Sequence, residues 1–234
     1  MSSTLPVQSK YKAIIVAGGS GTRMQSVVPK QFLLLNGRPV LFYTLEAFYN
    51  STYQPEIILV LHPDFHEYWN NLCREYQFEL PHLLVSGGET RFHSVKNGLD
   101  TISIEDAVIA VHDAVRPITE QGIIDNAYAY AAQHGNAVVA VKSRDSVRVL
   151  KEGISAALNR DEVYLIQTPQ TFQYSQLKQA YTQPYSNLFT DDASVVEKAG
   201  FKINLIEGNH RNLKITFPED IAIAELLLSK KPLV

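Results

Sequence analysis

Short apolar runs alternate along the chain with longer stretches in which apolar residues recur every three or four positions. The runs IILVL at 57–61 and VIAVH at 108–112 are apolar almost throughout, which is typical of strands buried on both faces of a sheet. Runs of this kind predict strands at 13–16, 57–61, 83–86, 108–112, 137–141 and 203–206. Helical spacing predicts helices at 40–49, 65–76, 92–101, 123–134, 176–181, 193–198 and 220–228.

Strands that alternate with helices indicate βαβ units. We therefore predict an α/β protein with a Rossmann-like, doubly wound, mainly parallel sheet that carries helices on both faces. The 234 residues are enough for one domain with its own core. We expect a single domain over 1–234, with one appendage.

The appendage is a segment that breaks the alternation of strands and helices. Residues 142–170 are too polar for a core helix, and a Glu-Gly pair at 152–153 predicts a turn between SVRVL and ISAAL. We predict a projecting β-hairpin arm at 142–164. A two-stranded hairpin is marginally stable alone in water. It is therefore either a simple surface hairpin or an arm that packs on a second copy of the chain, and we favour a homodimer.

Composition excludes several classes of partner. The formal net charge is -3, so no overall basic field attracts nucleic acid. The sequence has no run of about 18 apolar residues, the length a membrane-spanning helix requires, and MSSTLPVQSKYK lacks the apolar core of a signal peptide. The single cysteine, Cys73, cannot form an intramolecular disulfide, which favours a reducing compartment. We expect a cytoplasmic protein without nucleic-acid or membrane partners.

Three loops that follow predicted strands carry glycines or paired charges. They are AGGSGTRM after the first strand, SGGETRFHS after the third and HDAVRP after the fourth. Ligands of open α/β sheets bind outside the carboxyl ends of the strands. We therefore expect the three loops to converge on one edge of the sheet and to form one site.

The first loop has the composition of a polyphosphate site. It is not a Walker A motif, and Met24 replaces the third glycine of a dinucleotide fingerprint. Glycines let backbone N–H groups approach an anion, while Arg23 and Lys30 supply positive charge. Pro29 indicates a fixed, non-helical segment before Lys30. The alternative is a tight strand-to-helix turn followed by solvated charges.

These motifs carry a resemblance to a known family. AGGSGTRM followed by PKQF resembles the signature of sugar-phosphate nucleotidylyltransferases. SGGETRFHSV, VHDAVRP, QTPQTF, TDDASVVE and NLKITFPEDIAIAE then match, in order, the pattern of the 2-C-methyl-D-erythritol 4-phosphate cytidylyltransferases, over about residues 13–228. The ribitol-5-phosphate cytidylyltransferases share the first block and a similar HD-x-x-RP block. Ala193 and Ser194 after Thr190-Asp191-Asp192 lean toward the erythritol family.

The resemblance implies a reaction. CMP passes from CTP to 2-C-methyl-D-erythritol 4-phosphate, which gives 4-CDP-2-C-methyl-D-erythritol and pyrophosphate in the non-mevalonate isoprenoid precursor pathway. The acceptor supplies the nucleophile, so no covalent nucleophile is needed. Mg²⁺ is the implied cofactor, carried mainly by the CTP phosphates, because Mg²⁺ is commonly held by phosphates with little help from protein. We expect no metal ligand from the protein.

The resemblance also implies roles for individual residues. Arg23 and Lys30 would be catalytic and would stabilise the transition state. The nucleotide would contact Ala17, Gly18, Gly19, Gly21, Gly87, Gly88, Ser94 and Ala114. The acceptor would contact Asp113, Arg116, Thr168, Thr190 and Lys214 of the same subunit, and Ser146 and Arg160 of the neighbouring one. The family commonly has threonine where this chain has Ser146, and serine keeps the hydroxyl.

Other interpretations stay open on the sequence alone. Asp113 and Arg116 are either ligand-binding residues or a local pair that fixes a loop, and Ser94 is either a base-reading residue or a helix-surface serine. His112 ends a buried strand, which favours a structural histidine over an acid or base. The alternative functions are ribitol-5-phosphate cytidylyltransferase, hexose-1-phosphate transferase with UTP or dTTP, and a catalytically silent nucleotide-binding regulator.

Overall fold

A computed structural model describes residues 9–17 and 28–229 of the chain. Eleven strands lie within this part of the chain: β1 Tyr11–Ala17, β2 Leu34–Leu35, β3 Arg38–Pro39, β4 Glu56–Leu61, β5 Leu83–Ser86, β6 Val108–Asp113, β7 Asn136–Lys142, β8 Arg148–Lys151, β9 Ile154–Ala157, β10 Tyr164–Gln173 and β11 Leu205–Glu207. Seven of them form one sheet in the order β11-β7-β10-β6-β1-β4-β5. The others form two small hairpins, β2-β3 and β8-β9.

Seven α-helices accompany the strands in the described residues: α1 Val40–Tyr49, α2 His66–Glu75, α3 Arg91–Leu99, α4 Gln121–His134, α5 Tyr174–Ala180, α6 Asp192–Lys198 and α7 Glu219–Ser229. Helices α1, α2 and α4 bury apolar side chains on one face of the sheet. Helices α3, α5 and α6 do so on the other face. The prediction of helices on both faces is confirmed.

Strand β1 shows why helices cover both faces of the sheet. Ala13, Ile15 and Ala17 belong to the core on one face, while Ile14 belongs to the core on the other. This alternation follows from the two-residue period of a strand. Burial on both sides explains the uninterrupted apolar run that the sequence shows at this strand.

The sheet is mainly parallel, as predicted. Strand β1 pairs in parallel with β4 and β6, β4 pairs in parallel with β5, and β7 pairs in parallel with β11. Strand β10 is the exception, because it runs antiparallel to both β6 and β7. The parallel order is therefore interrupted at the centre of the sheet, next to the strand that ends at Asp113.

Strand β10 is absent from the predicted elements. Its sequence, YLIQTPQTFQ, is polar and contains Pro169, and proline removes a hydrogen-bond donor that a central strand normally uses. The structure accommodates the proline at an irregularity, where the pairing with β7 shifts between Ile166 and Gln170. The Thr168–Pro169 peptide bond is cis. Four polar residues of this strand, Gln167, Thr168, Gln170 and Thr171, are buried.

The predicted hairpin occupies the middle of the arm, residues 142–164. Strands β8 and β9 pair antiparallel around Glu152 and Gly153, whose φ angles are +50° and +81°. Two consecutive positive φ angles are the pattern of a tight hairpin turn. Leu150 and Ile154 are 70% and 75% exposed. The hairpin therefore presents apolar side chains to the outside of the chain.

Candidate active site

The carboxyl ends of four strands meet at one edge of the sheet. Val16 lies opposite Asp113 in the β1–β6 register, and Leu61 lies opposite Ala17 in β1 and Ser86 in β5. The backbone N–H of Gly87 donates to the carbonyl of Leu61 at 2.8 Å. The two motif loops that the structure describes, after β5 and after β6, therefore converge at this edge as expected.

Asp113 stands at the centre of this edge. Its Oδ2 lies 2.9 Å from Lys214 Nζ and 3.4 Å from Arg116 Nε, and its Oδ1 lies 3.8 Å from Arg91 Nε. Three cations thus surround one carboxylate that is only 8% exposed. The Asp113–Arg116 contact is real, but it belongs to a larger charged cluster, so it is more than a local pair.

Electrostatics keep this cluster ionised. Burial by itself would raise the pKa of Asp113, but Arg91, Lys214 and Arg116 together lower that pKa below its ordinary range. Burial lowers the pKa of Arg116, which the Asp113 carboxylate partly opposes. Asp113 is therefore an anion at neutral pH. It suits a hydrogen-bond acceptor for hydroxyl groups, while the surrounding cations suit a phosphate.

A cavity of about 280 Å³ opens beside Asp113. It brings together five of the predicted acceptor residues: Asp113, Arg116, Thr168, Thr190 and Lys214. A larger cavity of about 880 Å³ lies at the opposite edge, between Lys12, Glu56 and Leu83, and includes none of the predicted site residues. The smaller cavity is the candidate site, because it lies where α/β sheets bind ligands.

Thr168 connects β10 to this cluster. Its hydroxyl oxygen accepts a hydrogen bond from the Asp113 backbone N–H at 3.1 Å and lies 2.9 Å from His112 Nδ1. The side chain is 4% exposed. Within the chain, Thr168 therefore fixes the end of β6, and it does so at the cavity wall.

His112 is a structural histidine, as its position at the end of a buried strand favours. It is fully buried, and its Nε2 lies 3.3 Å from the hydroxyl of Thr119. Burial lowers the pKa of His112 to about 3, against the opposing effect of the Asp113 carboxylate. The ring is neutral at physiological pH and holds Thr119 and Thr168 in place.

Asn212 is a site residue that the sequence analysis missed. Its Nδ2 donates to the carbonyl of Thr168 at 2.8 Å, its Oδ1 accepts from the hydroxyl of Thr119 at 2.9 Å, and its carbonyl accepts from Arg116 Nη1 at 2.7 Å. It is 1% exposed. One buried amide thus joins three segments around the cavity. Its place two residues before Lys214 in NLKIT was the signal that could have found it.

Arg91 and Asp192 were also missed, although both lie inside quoted motifs. Arg91 Nη2 donates to Asp192 Oδ2 at 2.6 Å across a separation of 101 residues. Asp192 is fully buried, and its Oδ1 accepts from the hydroxyl of Tyr181 at 2.6 Å. Asp191, the residue before it, caps α6 by accepting from the Ser194 backbone N–H. A contact between residues this far apart in the sequence cannot be predicted from the spacing of neighbouring residues.

The loop of Gly87 and Gly88 is tied to the first turn of α3. Ser94 Oγ accepts from the Gly88 backbone N–H at 3.1 Å and donates to the Thr90 carbonyl at 3.0 Å. Ser94 is 1% exposed, which excludes the alternative of a helix-surface serine. A Cβ on Gly88 would lie 2.5 Å from the Cβ of His93. Glycine is needed there because the backbone packs directly on the helix.

Ala17 and Ala114 lie at the ends of β1 and β6. The carbonyl of Ala17 accepts from Gln31 Nε2 at 3.1 Å, and the carbonyl of Ala114 accepts from the hydroxyl of Thr44 at 2.9 Å. Lys30 is half-buried and begins a 3-10 turn, Lys30–Phe32, directly after Pro29. Gln31 therefore holds the segment of Lys30 against the end of β1.

Four predicted residues, Gly18, Gly19, Gly21 and Arg23, lie outside the described residues. Their roles stay predictions, and so does the convergence of the loop that contains them. The alternative of a strand-to-helix turn with solvated charges likewise concerns these residues.

The arm residues Ser146 and Arg160 are not in the cavity of their own chain. Both are exposed, and Arg160 Nη1 donates to the carbonyl of Arg144 at 3.3 Å, a contact within the arm. The structure therefore brings together the acceptor residues predicted within one subunit. It leaves the two residues predicted for the neighbouring subunit apart from them.

Two further features concern metals and membranes. Within residues 9–17 and 28–229, no three His, Cys, Asp or Glu side chains converge in the manner of a metal-binding group. The longest described helix, α4, has 14 residues, so none of the described helices is long and apolar enough to cross a bilayer.

Comparison with known proteins identifies the family. Residues 11–230 match the model of the family 2-C-methyl-D-erythritol 4-phosphate cytidylyltransferase. A 2-C-methyl-D-erythritol 4-phosphate cytidylyltransferase of Bacteroides thetaiotaomicron is 47% identical over 219 residues, which cover 94% of this chain and 100% of that protein. One of Phocaeicola vulgatus is 48% identical over 216 residues, with 92% and 98% covered.

Solved structures give the same result for the fold. The 4-diphosphocytidyl-2C-methyl-D-erythritol synthase of Anaerococcus prevotii aligns with a TM-score of 0.80 at 28% identity and covers 94% of this chain and 96% of its own. The 2-C-methyl-D-erythritol 4-phosphate cytidylyltransferase of Francisella tularensis aligns with a TM-score of 0.77 at 32% identity and covers 93% and 99%. The chain is therefore a nucleotidyltransferase, and it belongs to the 2-C-methyl-D-erythritol 4-phosphate cytidylyltransferase family.

Proposed function

We propose that the protein transfers CMP from CTP to 2-C-methyl-D-erythritol 4-phosphate and releases pyrophosphate, as a step of isoprenoid precursor synthesis. The observation that carries this proposal is the cluster of Arg91, Arg116 and Lys214 around the Asp113 carboxylate, at the sheet edge that also holds the glycine loop of α3. A polyol phosphate carries hydroxyl groups and a phosphate. The cluster can bind both, because its carboxylate accepts hydrogen bonds from hydroxyl groups and its cations pair with a phosphate.

The transfer requires one displacement at phosphorus. A phosphate oxygen of the acceptor attacks the α-phosphorus of CTP, a new P–O bond forms, and the bond from the α-phosphorus to the bridging oxygen breaks. The electron pair of that bond leaves with pyrophosphate. The acceptor phosphate is already ionised at neutral pH, so the reaction needs no general base. What remains for the protein is to align the two phosphates and to stabilise the added negative charge.

Arg23 and Lys30 take the second of these tasks in our proposal. Both belong to the motif segment that follows β1, and Lys30 is held at the end of that strand through its neighbour Gln31. Positive groups positioned before the reaction stabilise a five-coordinate transition state without reorganisation. The glycines at 18, 19 and 21 would leave backbone N–H groups for the triphosphate.

The acceptor would bind in the cavity beside Asp113. Asp113 Oδ1 and Oδ2 would accept hydrogen bonds from its hydroxyls, and Arg116 and Lys214 would pair with its phosphate. Lys214 is 42% exposed at its side chain, whereas Arg116 is 9% exposed. Lys214 is therefore able to adjust to a ligand, while Arg116 is fixed by the Asn212 carbonyl. Thr190 lies at the rim and Thr168 at the wall.

Gly87, Gly88 and Ser94 would bind the cytosine base, and Ala114 would contact the ribose. The loop is rigid because Ser94 holds it from below. The N–H groups of Gly87 and Gly88 already donate to the Leu61 carbonyl and to Ser94 Oγ, so the loop would bind the base through carbonyl groups that accept from the cytosine amino group. A rigid backbone edge rejects bases with the reverse donor pattern, since a mismatch leaves buried polar groups unpaired.

We propose that the divalent ion enters as the Mg²⁺ complex of CTP. Asp113, the carboxylate nearest the cavity centre, already contacts three cations, which makes it a poor metal ligand. Triphosphate oxygens are sufficient ligands for Mg²⁺, which keeps several waters. The ion is therefore part of the substrate, and its role is to neutralise the departing pyrophosphate.

We further propose a homodimer in which the arm, residues 142–164, reaches the neighbouring subunit. Leu150, Ile154 and Leu158 are 70%, 75% and 45% exposed in the single chain. Exposed apolar side chains on an arm with a two-stranded hairpin favour burial against a partner. Ser146 and Arg160 would then contact the acceptor in the partner's cavity, and the active site would be composite.

We place the protein in the cytoplasm, where CTP is present and thiols stay reduced. Cys73 is a free cysteine on α2, and burial raises the pKa of its thiol to about 11. A thiol with a raised pKa is a weak nucleophile. Cys73 therefore serves packing on the core rather than chemistry. Fractionation of cells would test the location.

Pyrophosphate release from CTP and Mg²⁺ tests the function. Methylerythritol 4-phosphate and ribitol 5-phosphate are supplied in parallel reactions. We expect release with methylerythritol 4-phosphate. Release with ribitol phosphate alone would assign the protein to polyol metabolism, and no release with either from folded protein would favour the nucleotide-binding regulator.

A further inference from the structure

We propose that Arg91 is a positioning residue that aligns the acceptor side of the active site with the nucleotide side, through its contacts with Asp192 and Asp113. The inference rests on the proposed transfer reaction, because it assigns the two sides to the two substrates. In our assignment Arg91 binds neither the base nor the acceptor's phosphate, and it acts by holding other residues of the site in place.

The backbone of Arg91 lies beside the glycine loop. Arg91 is the first residue of α3, and Thr90 caps that helix by accepting from the His93 backbone N–H. Three residues earlier lies Gly88, which packs on His93 without room for a Cβ. The backbone of Arg91 is therefore rigidly attached to the loop proposed for cytosine.

The guanidinium of Arg91 lies between two carboxylates. Its Nη2 lies 2.6 Å from Asp192 Oδ2, and its Nε lies 3.8 Å from Asp113 Oδ1. Asp192 is the first residue of α6 and Asp113 is the last residue of β6. One guanidinium thus connects three elements that are far apart in the sequence. A planar fork with several donors is suited to hold two carboxylates at fixed angles.

Asp192, the carboxylate that pairs with Arg91, is itself held in place. Asp192 is fully buried and accepts a second hydrogen bond from Tyr181. The ring of Tyr181 stacks on Phe92, with ring centroids 4.6 Å apart. Phe92 follows Arg91 directly, so an ion pair and a ring stack link the start of α3 to the start of α6. Two linked contacts restrict rotation of one helix start against the other.

The contact between Arg91 and Asp192 joins two opposite charges, so its loss affects the electrostatics of the site as well as its packing. Removing one partner from a buried ion pair leaves an uncompensated charge, which is strongly unfavourable. Without Arg91, Asp192 would keep the hydrogen bond from Tyr181, and Asp113 would keep Lys214 and Arg116, the two cations proposed for the acceptor's phosphate. The freed carboxylate of Asp113 would then compete with that phosphate for both cations. Acceptor binding should suffer more than CTP binding.

Steady-state kinetics of Arg91→Ala and Arg91→Lys, with each substrate varied in turn, test this inference. We expect the KM for the acceptor to rise about tenfold or more in Arg91→Ala while the KM for CTP changes less than about threefold. Arg91→Lys should fall between Arg91→Ala and the unmodified protein, because it keeps the charge and loses the fork. Arg38→Lys is the matched control, since Arg38 pairs with Glu46 away from the cavity.

A double-mutant cycle with Asp192→Asn distinguishes positioning from general stabilisation. We expect the fold-increase in acceptor KM of Arg91→Lys/Asp192→Asn to be smaller than the product of the fold-increases of the two single variants. Unchanged acceptor KM in both Arg91 variants would overturn the inference while leaving the proposed function intact. So would parallel changes in both KM values that track a loss in thermal stability. If Arg91→Ala does not fold, Arg91→Lys decides alone. Absence of turnover by the unmodified protein would overturn the proposed function and this inference with it.

Discussion

The cavity beside Asp113 and the arm at 142–164 carry predicted acceptor residues in opposite physical settings. In the cavity, Asp113 and Arg116 are each 8% exposed and contact several partners of fixed geometry. On the arm, Ser146 and Arg160 are exposed. The cavity residues are positioned by the chain itself, whereas the arm residues would meet the acceptor only in the proposed dimer. Buried contacts within one fold can be described from the single chain, while the proposed role of the arm depends on assembly.

The largest expected effect lies outside both regions, in the segment that follows β1. Lys30→Ala should lower kcat by about 100-fold to 1000-fold, because it removes a positive group proposed to act only in the transition state. Stopped-flow or steady-state pyrophosphate release measures it. Lys10→Ala is the matched control, since Lys10 pairs with Asp106 at the opposite end of β1. A Lys30→Ala enzyme that keeps kcat within about threefold of the unmodified protein would contradict the proposed catalytic role.

The cavity is tested by Asp113→Asn. The substitution removes the anion that three cations surround, so kcat/KM for the acceptor should fall about 100-fold, with a smaller change for CTP. Steady-state kinetics with each substrate varied in turn measure this difference. Asp106→Asn removes a carboxylate that is 73% exposed at its side chain and should leave the kinetics unchanged. Equal losses for both substrates would show that Asp113 holds the site together without binding the acceptor.

Buried His112, which precedes the cavity residue Asp113, predicts an effect of pH on stability. Neutral His112 contributes stability that is fully present above its unfolded pKa of 6.5 and is lost as pH falls toward its folded pKa of about 3. The unfolding free energy should therefore fall by about 2 kcal/mol between pH 7 and pH 5. The lowered pKa of Asp113 acts only below that window, since an ordinary aspartate titrates near 3.8.

Urea denaturation at several pH values measures this loss. In His112→Gln, the part of the slope that His112 contributes should disappear, whatever the absolute stability of the variant. His210→Gln, which changes an exposed histidine, should keep the slope of the unmodified protein. An identical slope in His112→Gln would mean that the buried histidine is not the group that titrates on unfolding.

The arm is tested by Arg160→Ala, for which we expect the smallest effect. The KM for the acceptor should rise about tenfold while CTP binding stays nearly unchanged, because only one exposed contact to the acceptor is lost. Kinetics with the acceptor varied give this value. An unchanged KM would remove the composite site from the account.

Mixing variants sharpens the same test. In a dimer with composite sites, a heterodimer of Lys30→Ala and Arg160→Ala chains contains one site with both residues intact. At acceptor concentrations well below KM, where Arg160→Ala sites are slow, random exchange of equal amounts would then restore about a quarter of the activity, if the arm acts across the interface. Activity that remains the plain average of the two parent variants would show that both residues act within one chain.

The residues that line this site could be predicted from the sequence more completely than the strand and the distant contacts that hold them in place. The loops after β5 and β6 were predicted because glycines and paired charges at strand ends are typical of ligand-binding loops. Strand β10 was missed, since a polar run with Pro169 looks like a loop until its side chains are seen to line a cavity. The spacing of residues along the chain predicts single helices and strands. It does not predict the side-chain contacts between helices and strands that are far apart in the sequence.

The contact of Arg91 with Asp192 illustrates that limit. Both residues lie in motifs that were recognised, but their pairing depends on the packing of α3 beside α6. The same holds for Asn212, whose amide reaches two other segments. By contrast, the cap that Asp191 and Ser194 form on α6 is a short-range pattern that sequence reading can detect.

The central claim is that the acceptor is methylerythritol 4-phosphate, and a competition experiment tests it most directly. Equal concentrations of methylerythritol 4-phosphate and ribitol 5-phosphate are mixed with limiting CTP and Mg²⁺, and the two CDP-alcohols are quantified by mass spectrometry. Their ratio equals the ratio of the kcat/KM values for the two acceptors. We predict that CDP-methylerythritol accounts for nearly all of the product. A product that is mainly CDP-ribitol would contradict the account.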